Sequence, residues 1–296
     1  MHQMYEVVII GGSNAGMSAA MTLGRSLRNV LVIDNGRPCN RQTPHSHNFL
    51  TRDGVTPSFL SAVAKEQVLA YPSVQWVEDT VQRVEQLADY LLIYTINGVQ
   101  VQAKKVLLAT GVLDDLLPIP GFAECWGISV LHCPYCHGYE VRNQYLGIVG
   151  NGDMAMEFAQ LIRQWSGKVH LLTNGPSALT ASQWKELEAA AVPVSTSPLF
   201  AIRHKEGKMY QLVLKDGTIL PFDAVFARVP FKQSPLVQQL GLATNEQGYI
   251  VVNAFQQTSL PNVFAAGDCT TPMRSISTAV AQGTMAGAAL NKYLLA

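Results

Sequence analysis

Residues 5–16, YEVVIIGGSNAG, carry a short β-branched run straight into a glycine-rich turn, and the fold follows from what comes next. From Met17 to about Leu27 small and apolar residues recur at helical spacing. A second apolar run, Val30–Ile33, then ends at Asp34. Strand, glycine turn, helix and strand in that order make a βαβ unit. Gly11 and Gly16 hold the outer positions of a G-x-G-x-x-G pattern, Ser13 replaces the middle glycine, and Ala15 keeps the turn small. Such residues permit a tight corner and close approach of backbone to a pyrophosphate, which the free N–H groups of the helix start attract. Asp34, ending the next strand, stands where a carboxylate accepts hydrogen bonds from a ribose. Gly11, Ser13, Ala15, Gly16 and Asp34 are therefore candidate dinucleotide-binding residues.

The pattern returns once. Leu146–Val149 leads into Gly150-Asn151-Gly152-Asp153-Met154-Ala155, a helix to about Trp165 and a strand Val169–Leu172. Gly150, Gly152 and Ala155 occupy the small positions and are candidate NAD(P) contacts. The strand ends in Thr173-Asn174-Gly175, with no acid for a ribose diol and no arginine or lysine for a 2′-phosphate. Thr173 and Asn174 offer neutral hydrogen bonds to a ribose. Two readings stay open here, an NAD(P) site or a nucleotide fold whose affinity has been reduced or lost. Two such units predict an α/β chain of two Rossmann-like domains, of three-layer ββα type.

The connections fill in the plan. Residues 37–57, RPCNRQTPHSHNFLTRDGVTP, read as an ordered irregular loop of the kind that usually serves function. A helix follows at about Pro57–Ala70, and segments 74–78, 81–86, 90–96 and 99–102 read as an antiparallel meander. Val106–Ala109 is a buried strand ending in Thr110-Gly111, and Pro118, Pro120 and Gly121 suit a domain crossing. Beyond the second turn come a helix at about 182–191 and a β-rich stretch at 199–227. The strand Val263–Ala266 then precedes Gly267-Asp268, with a small-residue helix from about Ser277.

Bulk properties narrow the function. The chain has 296 residues, 48% hydrophobic and 14% charged, enough for a large core and in keeping with a soluble globular protein. Its formal net charge of zero gives no footprint for nucleic acid or an anionic membrane. The start has no cationic region and no long apolar centre, and no run of about 18 apolar residues occurs, so neither a signal peptide nor a membrane span is expected. Five scattered cysteines make a poor disulfide framework and suit a reducing cytoplasm.

Within HCPYCHGYE, residues 132–140, Cys133 and Cys136 with His137 fit three chemistries: c-type haem attachment, half a zinc site, or a redox dithiol. Haem attachment normally follows export, and no second ligand pair at finger spacing accompanies the cysteines, so the redox dithiol is favoured. A neighbouring imidazole raises the thiolate fraction, moves protons and titrates near neutral pH, which makes His137 the candidate general acid–base. His132, His45 and His47 read as structural or loop polar groups. Cys39, Cys125 and Cys269 read as passenger thiols that behave as small hydrophobes.

GGSNAG at 11–16, LLATG at 107–111, CPYC at 133–136, GNGDMA at 150–155 and VFAAGDC at 263–269 with Arg274-Ser275-Ile276 together resemble the low-molecular-weight thioredoxin reductases. These are two-domain FAD proteins of the pyridine nucleotide–disulfide oxidoreductase group. The resemblance implies a discontinuous FAD domain, 1–115 plus 247–296, and an inserted NAD(P)-binding-like domain, 116–246, that carries the dithiol. It implies FAD as cofactor. Gly11, Ser13, Ala15, Gly16 and Asp34 would hold the adenosine half, and Gly111 would also contact FAD. Gly267 and Asp268 would hold the ribityl–phosphate region, and Ser275 and Ile276 would meet the flavin ring. Cys136 would face the flavin, while Cys133 would exchange with the substrate. The implied partners are a small thiol or disulfide or a thioredoxin-like protein, with oxygen as a further acceptor, in a cytoplasmic homodimer. Two departures stand out. NADPH-using members carry an arginine-rich motif where this chain has Thr173-Asn174-Gly175, which predicts weak NADPH use. His137 replaces the usual aspartate, which is similar to the gliotoxin- and holomycin-type dithiol oxidases. A non-catalytic flavin-binding redox sensor is the alternative from another class.

Overall fold

The structure is a computed structural model that describes residues 4–295. The chain divides into two compact units. The first takes the chain up to Arg41, Pro57–Leu113 and the part from Phe231 onward; the second takes Gln42–Thr56 and Asp114–Pro230.

In the first unit the strand Met4–Ile10, buried along most of its length, runs parallel to Val30–Asp34 on one side and to Gln100–Leu108 on the other. Val74–Glu78 and Val263–Ala265 extend this parallel layer at its two edges. Strands buried on both faces need apolar residues throughout, which explains the unbroken runs VVII and VLVI. Val81–Gln86 and Leu91–Thr95 pair antiparallel and add to the first half of Gln100–Leu108, making a second β layer. The helices Asn14–Arg25 and Ile276–Tyr293 lie on one another through small residues. A Cβ at Gly283 would fall on the Ala15 carbonyl and one at Gly287 on Thr22, so neither glycine tolerates a side chain. Ser18 Oγ donates to the Val280 carbonyl at 2.8 Å across the same contact.

The second unit repeats the plan. Val194–Ser195, Val169–Leu172, Leu146–Val149, Ala224–Ala227 and Val130–Leu131 form a five-stranded parallel sheet in that order. Leu199–Lys205, Lys208–Leu214 and Ile219–Leu220 form a three-stranded antiparallel layer. Phe122, Phe222 and Leu212 pack between strands of both sheets, and Phe158 and Phe226 meet edge-to-face within the opposite layer.

Three expectations change. Residues 74–78 leave the meander and join the parallel sheet, in register with Val30–Asp34 from Val30↔Val74 to Asp34↔Glu78. Segments 99–102 and 106–109 belong to one nine-residue strand, Gln100–Leu108. Lys104 and Lys105 lie within it, and Lys105 Nζ donates to Asn262 Oδ1 at 2.9 Å. The domain limits also move. Leu236 and Val237 of the helix Pro235–Gln239 are buried in the first unit's core, so residues 231–246 belong there. Residues 42–56 pack with the second unit: Gln42 Nε2 donates to the carbonyls of Ala123 and Trp126 at 3.1 and 3.3 Å.

Candidate active site

The first glycine turn is as tight as its sequence requires. Gly11 has φ +102°, and a Cβ there would strike the Ala109 carbonyl, while one at Gly16 would strike the carbonyl of Gly11. The helix Asn14–Arg25 begins at Ser13, whose side chain makes no cap hydrogen bond. The N–H groups of its first turn therefore face outward with the positive end of the helix dipole, the donor set a pyrophosphate needs. Asp34 Oδ1 accepts from Gly12 N at 2.8 Å and Oδ2 accepts from Gly36 N at 3.1 Å. Each oxygen keeps a further lone pair for a ribose hydroxyl. Trp76, which the sequence reading passed over, sets its ring over Gly12, where a Cβ would strike both the ring and Asp34, and its indole Nε1 is buried without a hydrogen-bond partner. A half-buried carboxylate, an orphaned donor and an open helix start around one glycine turn fit the adenosine and pyrophosphate of FAD.

The other expected cofactor residues gather in the same unit. Gly111 follows the strand Gln100–Leu108 at φ +60° with open space where a Cβ would go. Gly267, at φ +88°, donates its N–H to Gln282 Oε1 at 2.8 Å and would bring a Cβ to 3.0 Å from that of Ala15. Asp268 lies 3.5 Å from Arg274 Nε and 3.8 Å from Cys39 Sγ. Ser275 caps the helix that starts at Ile276, its Oγ accepting from Thr278 N at 3.1 Å.

The second turn has the same backbone and a different filling. Gly152 has φ +59°, and a Cβ at Gly150 would come within 3.3 Å of that of Ala155. Here the helix start is taken. Asn151 Oδ1 accepts from Gly152 N at 3.0 Å and Ala178 N at 2.7 Å, and Asn151 Nδ2 donates to the Pro176 carbonyl at 2.9 Å. Asp153 places a carboxylate in the helix's first turn, held by Gln183 Nε2 at 2.7 Å. Thr173 and Asn174 are committed as well. The buried Thr173 hydroxyl donates to Gly175 O at 2.6 Å, and Asn174 Oδ1 accepts from Leu199 N at 2.8 Å.

Cys133 and Cys136 are joined by a disulfide, their Cα atoms 5.3 Å apart, at the start of the short helix Pro134–His137. Proline at its first position pre-sets φ and spares an orphan N–H. The helix closes with Gly138 N donating to the Pro134 carbonyl at 2.7 Å. Gly138 rests on the Trp165 ring, which leaves no room for a Cβ, and Tyr135 meets Trp165 edge-on. Burial, together with the charge of His47, pushes His137 down to about 4, so at neutral pH it is a neutral base. This corrects the expectation of titration near neutrality. His132 stacks on Trp126 with ring centroids 5.9 Å apart. Cys125 and Cys269 are buried, and burial with the neighbouring Asp268 pushes the Cys269 thiol up to about 12. Cys39, by contrast, is exposed.

A disulfide that is to open and close requires a two-electron partner, and the geometry of the first turn fits a nucleotide cofactor. Fold and site define a flavin-dependent disulfide oxidoreductase. The chain belongs to the pyridine nucleotide-disulphide oxidoreductase family, which matches residues 5–283. It is 33% identical to the thioredoxin reductase tcpT of Claviceps purpurea, over 98% of this chain and 94% of that one. Its structure is similar to HlmI, with a TM-score of 0.92 at 33% identity, covering 98% and 92% of the two chains. It is also similar to the thioredoxin reductase of Streptococcus pyogenes, with a TM-score of 0.90 at 28% identity, covering 100% and 99%. Among the described residues no helix is long and apolar enough to cross a membrane.

Proposed function

We propose that this flavin-dependent thiol–disulfide oxidoreductase exchanges electrons with thiol substrates through Cys133 and Cys136, and that it draws little on NADPH. FAD, when bound, is the two-electron donor or acceptor. Gly11, Ser13, Ala15, Gly16 and Asp34 hold its adenosine half, with Gly111, Gly267, Asp268, Ser275 and Ile276 along the remainder. Cys133 exchanges with the substrate sulfur through a mixed disulfide, and Cys136 resolves it. His137, neutral at physiological pH, takes the proton of the incoming thiol and returns it to the departing one.

The observation that carries the proposal is the contrast between the two turns. One helix start is open and flanked by a carboxylate placed for a ribose. The other is capped by Asn151, carries Asp153 and lacks a basic partner for a 2′-phosphate. That closed turn and the histidine after C-x-x-C favour a second reading within the class, a dithiol oxidase that passes electrons on to oxygen.

Anaerobic mixing of the holoprotein with NADPH, NADH or a dithiol, followed by flavin absorbance, tests the reading. The dithiol bleaches the flavin, micromolar NADPH does so slowly, and Cys136→Ser abolishes bleaching by thiols. Rapid bleaching by NADPH would contradict the assignment of the second turn. Full activity in Cys136→Ser would contradict the dithiol.

A further inference from the structure

The strand Ala224–Ala227 runs out into an arginine that belongs to neither glycine turn and to neither cysteine. The strands on its two sides fix where Arg228 stands. On one side the parallel register reaches Ala227↔Val149, so Arg228 leaves the sheet beside Gly150 of the second turn. On the other side Phe226 is the partner of Leu131, and two residues further along both strands come Arg228 and Cys133. Neighbouring strands lie about 4.8 Å apart, and alternate residues share a face. Phe226 and Leu131 are buried on the side covered by Phe158 of the helix Gly152–Ile162, and Arg228, in step with them, emerges on that side. Its guanidinium follows, lying over the Phe158 ring with Cζ 4.6 Å from the centroid.

This charge is held in place but not neutralised. Arg228 is exposed, and the ring beneath its guanidinium is fully buried. Among the described residues its side chain makes no ion pair and no hydrogen bond. The acids of the helix do not serve it: Asp153 is held by Gln183 at 2.7 Å, and Glu157 is exposed to water. A guanidinium stays charged at every working pH and offers a planar fork of donors that matches a carboxylate. Arg228 also stands where an open α/β sheet takes its ligand. Val169–Leu172 pairs with one edge of Leu146–Val149 and Ala224–Ala227 with the other, so the crevice between Gly150 and Arg228 is the switch point of this sheet. A dinucleotide would lay its pyrophosphate at the helix start, which Asn151 caps and Asp153 makes negative. The cation lies on the other side of the crevice, toward the strand that leads into Cys133.

We infer that Arg228 is the anion-recognition residue of the dithiol site and that the substrate is an acidic thiol compound, its carboxylate on the guanidinium and its sulfur at Cys133. The inference rests on the thiol chemistry proposed above and names the substrate class of that chemistry. In the exchange one substrate thiolate attacks Cys133 and the Cys133–Cys136 bond breaks; the second substrate thiolate then displaces Cys133. The substrate leaves as its disulfide, and the cysteine pair keeps the two electrons and takes up the two protons.

Lipoate and lipoamide provide the test, since they share a ring disulfide and chain and differ by one charge. In calorimetric titrations of the oxidised holoprotein, lipoate should bind about fivefold or more tighter than lipoamide, as a charge-assisted contact at a partly open site provides. Arg228→Gln should bring that ratio close to one, Arg228→Lys should keep part of it, and added salt should narrow it in the wild type. A merely structural role, through packing on Phe158, would weaken both ligands alike and leave the ratio intact. Equal affinities in the wild type, binding of neither ligand, or a ratio that survives Arg228→Gln overturns the inference. ADP-ribose that binds the wild type and loses affinity in Arg228→Gln, with no preference for lipoate, also overturns it and assigns the arginine to a nucleotide phosphate. Anaerobic flavin bleaching by dihydrolipoate and dihydrolipoamide separates this inference from the reading beneath it. Equal bleaching by both refutes the role of Arg228 and leaves the dithiol chemistry standing. An Arg228-dependent preference for lipoate with no bleaching by either dithiol refutes that chemistry and leaves the anion site.

Discussion

Lowering the pH should loosen this protein through one imidazole. His137 is half-buried, and the desolvation this brings acts first to hold it at about 4 against 6.5 for a free histidine. As pH falls, the unfolded chain takes up a proton on His137 before the folded chain does. Its contribution is therefore intact above about 6.5 and is lost progressively down to about 4. The full gap is worth about 3 kcal/mol, and most of it is gone by about pH 4.5, roughly a hundredfold in the unfolding equilibrium. Urea unfolding followed by circular dichroism at about pH 7 and about pH 4.5 measures the change. Carboxylates and the other histidines also contribute, so wild type is compared with His137→Gln, in which their contributions are retained. The variant should lose about 2–3 kcal/mol less than wild type over this interval. Equal losses in the two proteins would refute the reasoning and mean that desolvation does not hold His137 in its neutral form.

Other perturbations have equally definite outcomes. Gly16→Ala forces a Cβ onto the carbonyl of Gly11; the holoprotein should lose flavin absorbance on gel filtration and roughly 1–3 kcal/mol of stability in a thermal melt. Asn151→Ala removes a cap and should cost about 1 kcal/mol, while freeing the helix start it occupies. Titration of that variant with NADPH should therefore show tighter, not weaker, binding. In dithiol-reduced, unfolding-free conditions at about pH 8, iodoacetamide should modify Cys39 and the C-x-x-C pair and spare Cys125 and Cys269, as peptide mass spectrometry would show.

The parallel strands and both glycine turns were legible because a doubly buried strand needs an unbroken apolar run and a tight βα corner needs small residues. Those demands act over a few consecutive positions. The placement of 74–78 was not legible, since alternation alone cannot tell a meander from the edge of a parallel sheet. Likewise the charged residues between 102 and 106 interrupt the apolar pattern of one long strand, in which Lys105 is paired with Asn262. At the site, Cys133, Cys136 and His137 announce themselves by spacing. Asn151 did not, although asparagine immediately before a helix is a recognisable cap signal that could have shown the second turn to be occupied. Trp76 gave no local sign, since only the pairing of Val30–Asp34 with Val74–Glu78 brings it to Gly12. His47 was set aside as a loop residue for a similar reason: its partner Glu140 is distant in sequence, and only the folded chain brings them together.

The loop at 42–56 also means that the polypeptide passes between its two compact units four times, not the two that a simple insertion would need. A fragment cut at 114 and 230 would leave behind the histidine that meets Glu140. So would a chimaera that exchanged this stretch between relatives. Such a cut also removes the hydrogen bonds from Gln42 to the carbonyls of Ala123 and Trp126, so the two pieces belong together in the packing of the second unit. Anyone transplanting this module should carry the loop with it.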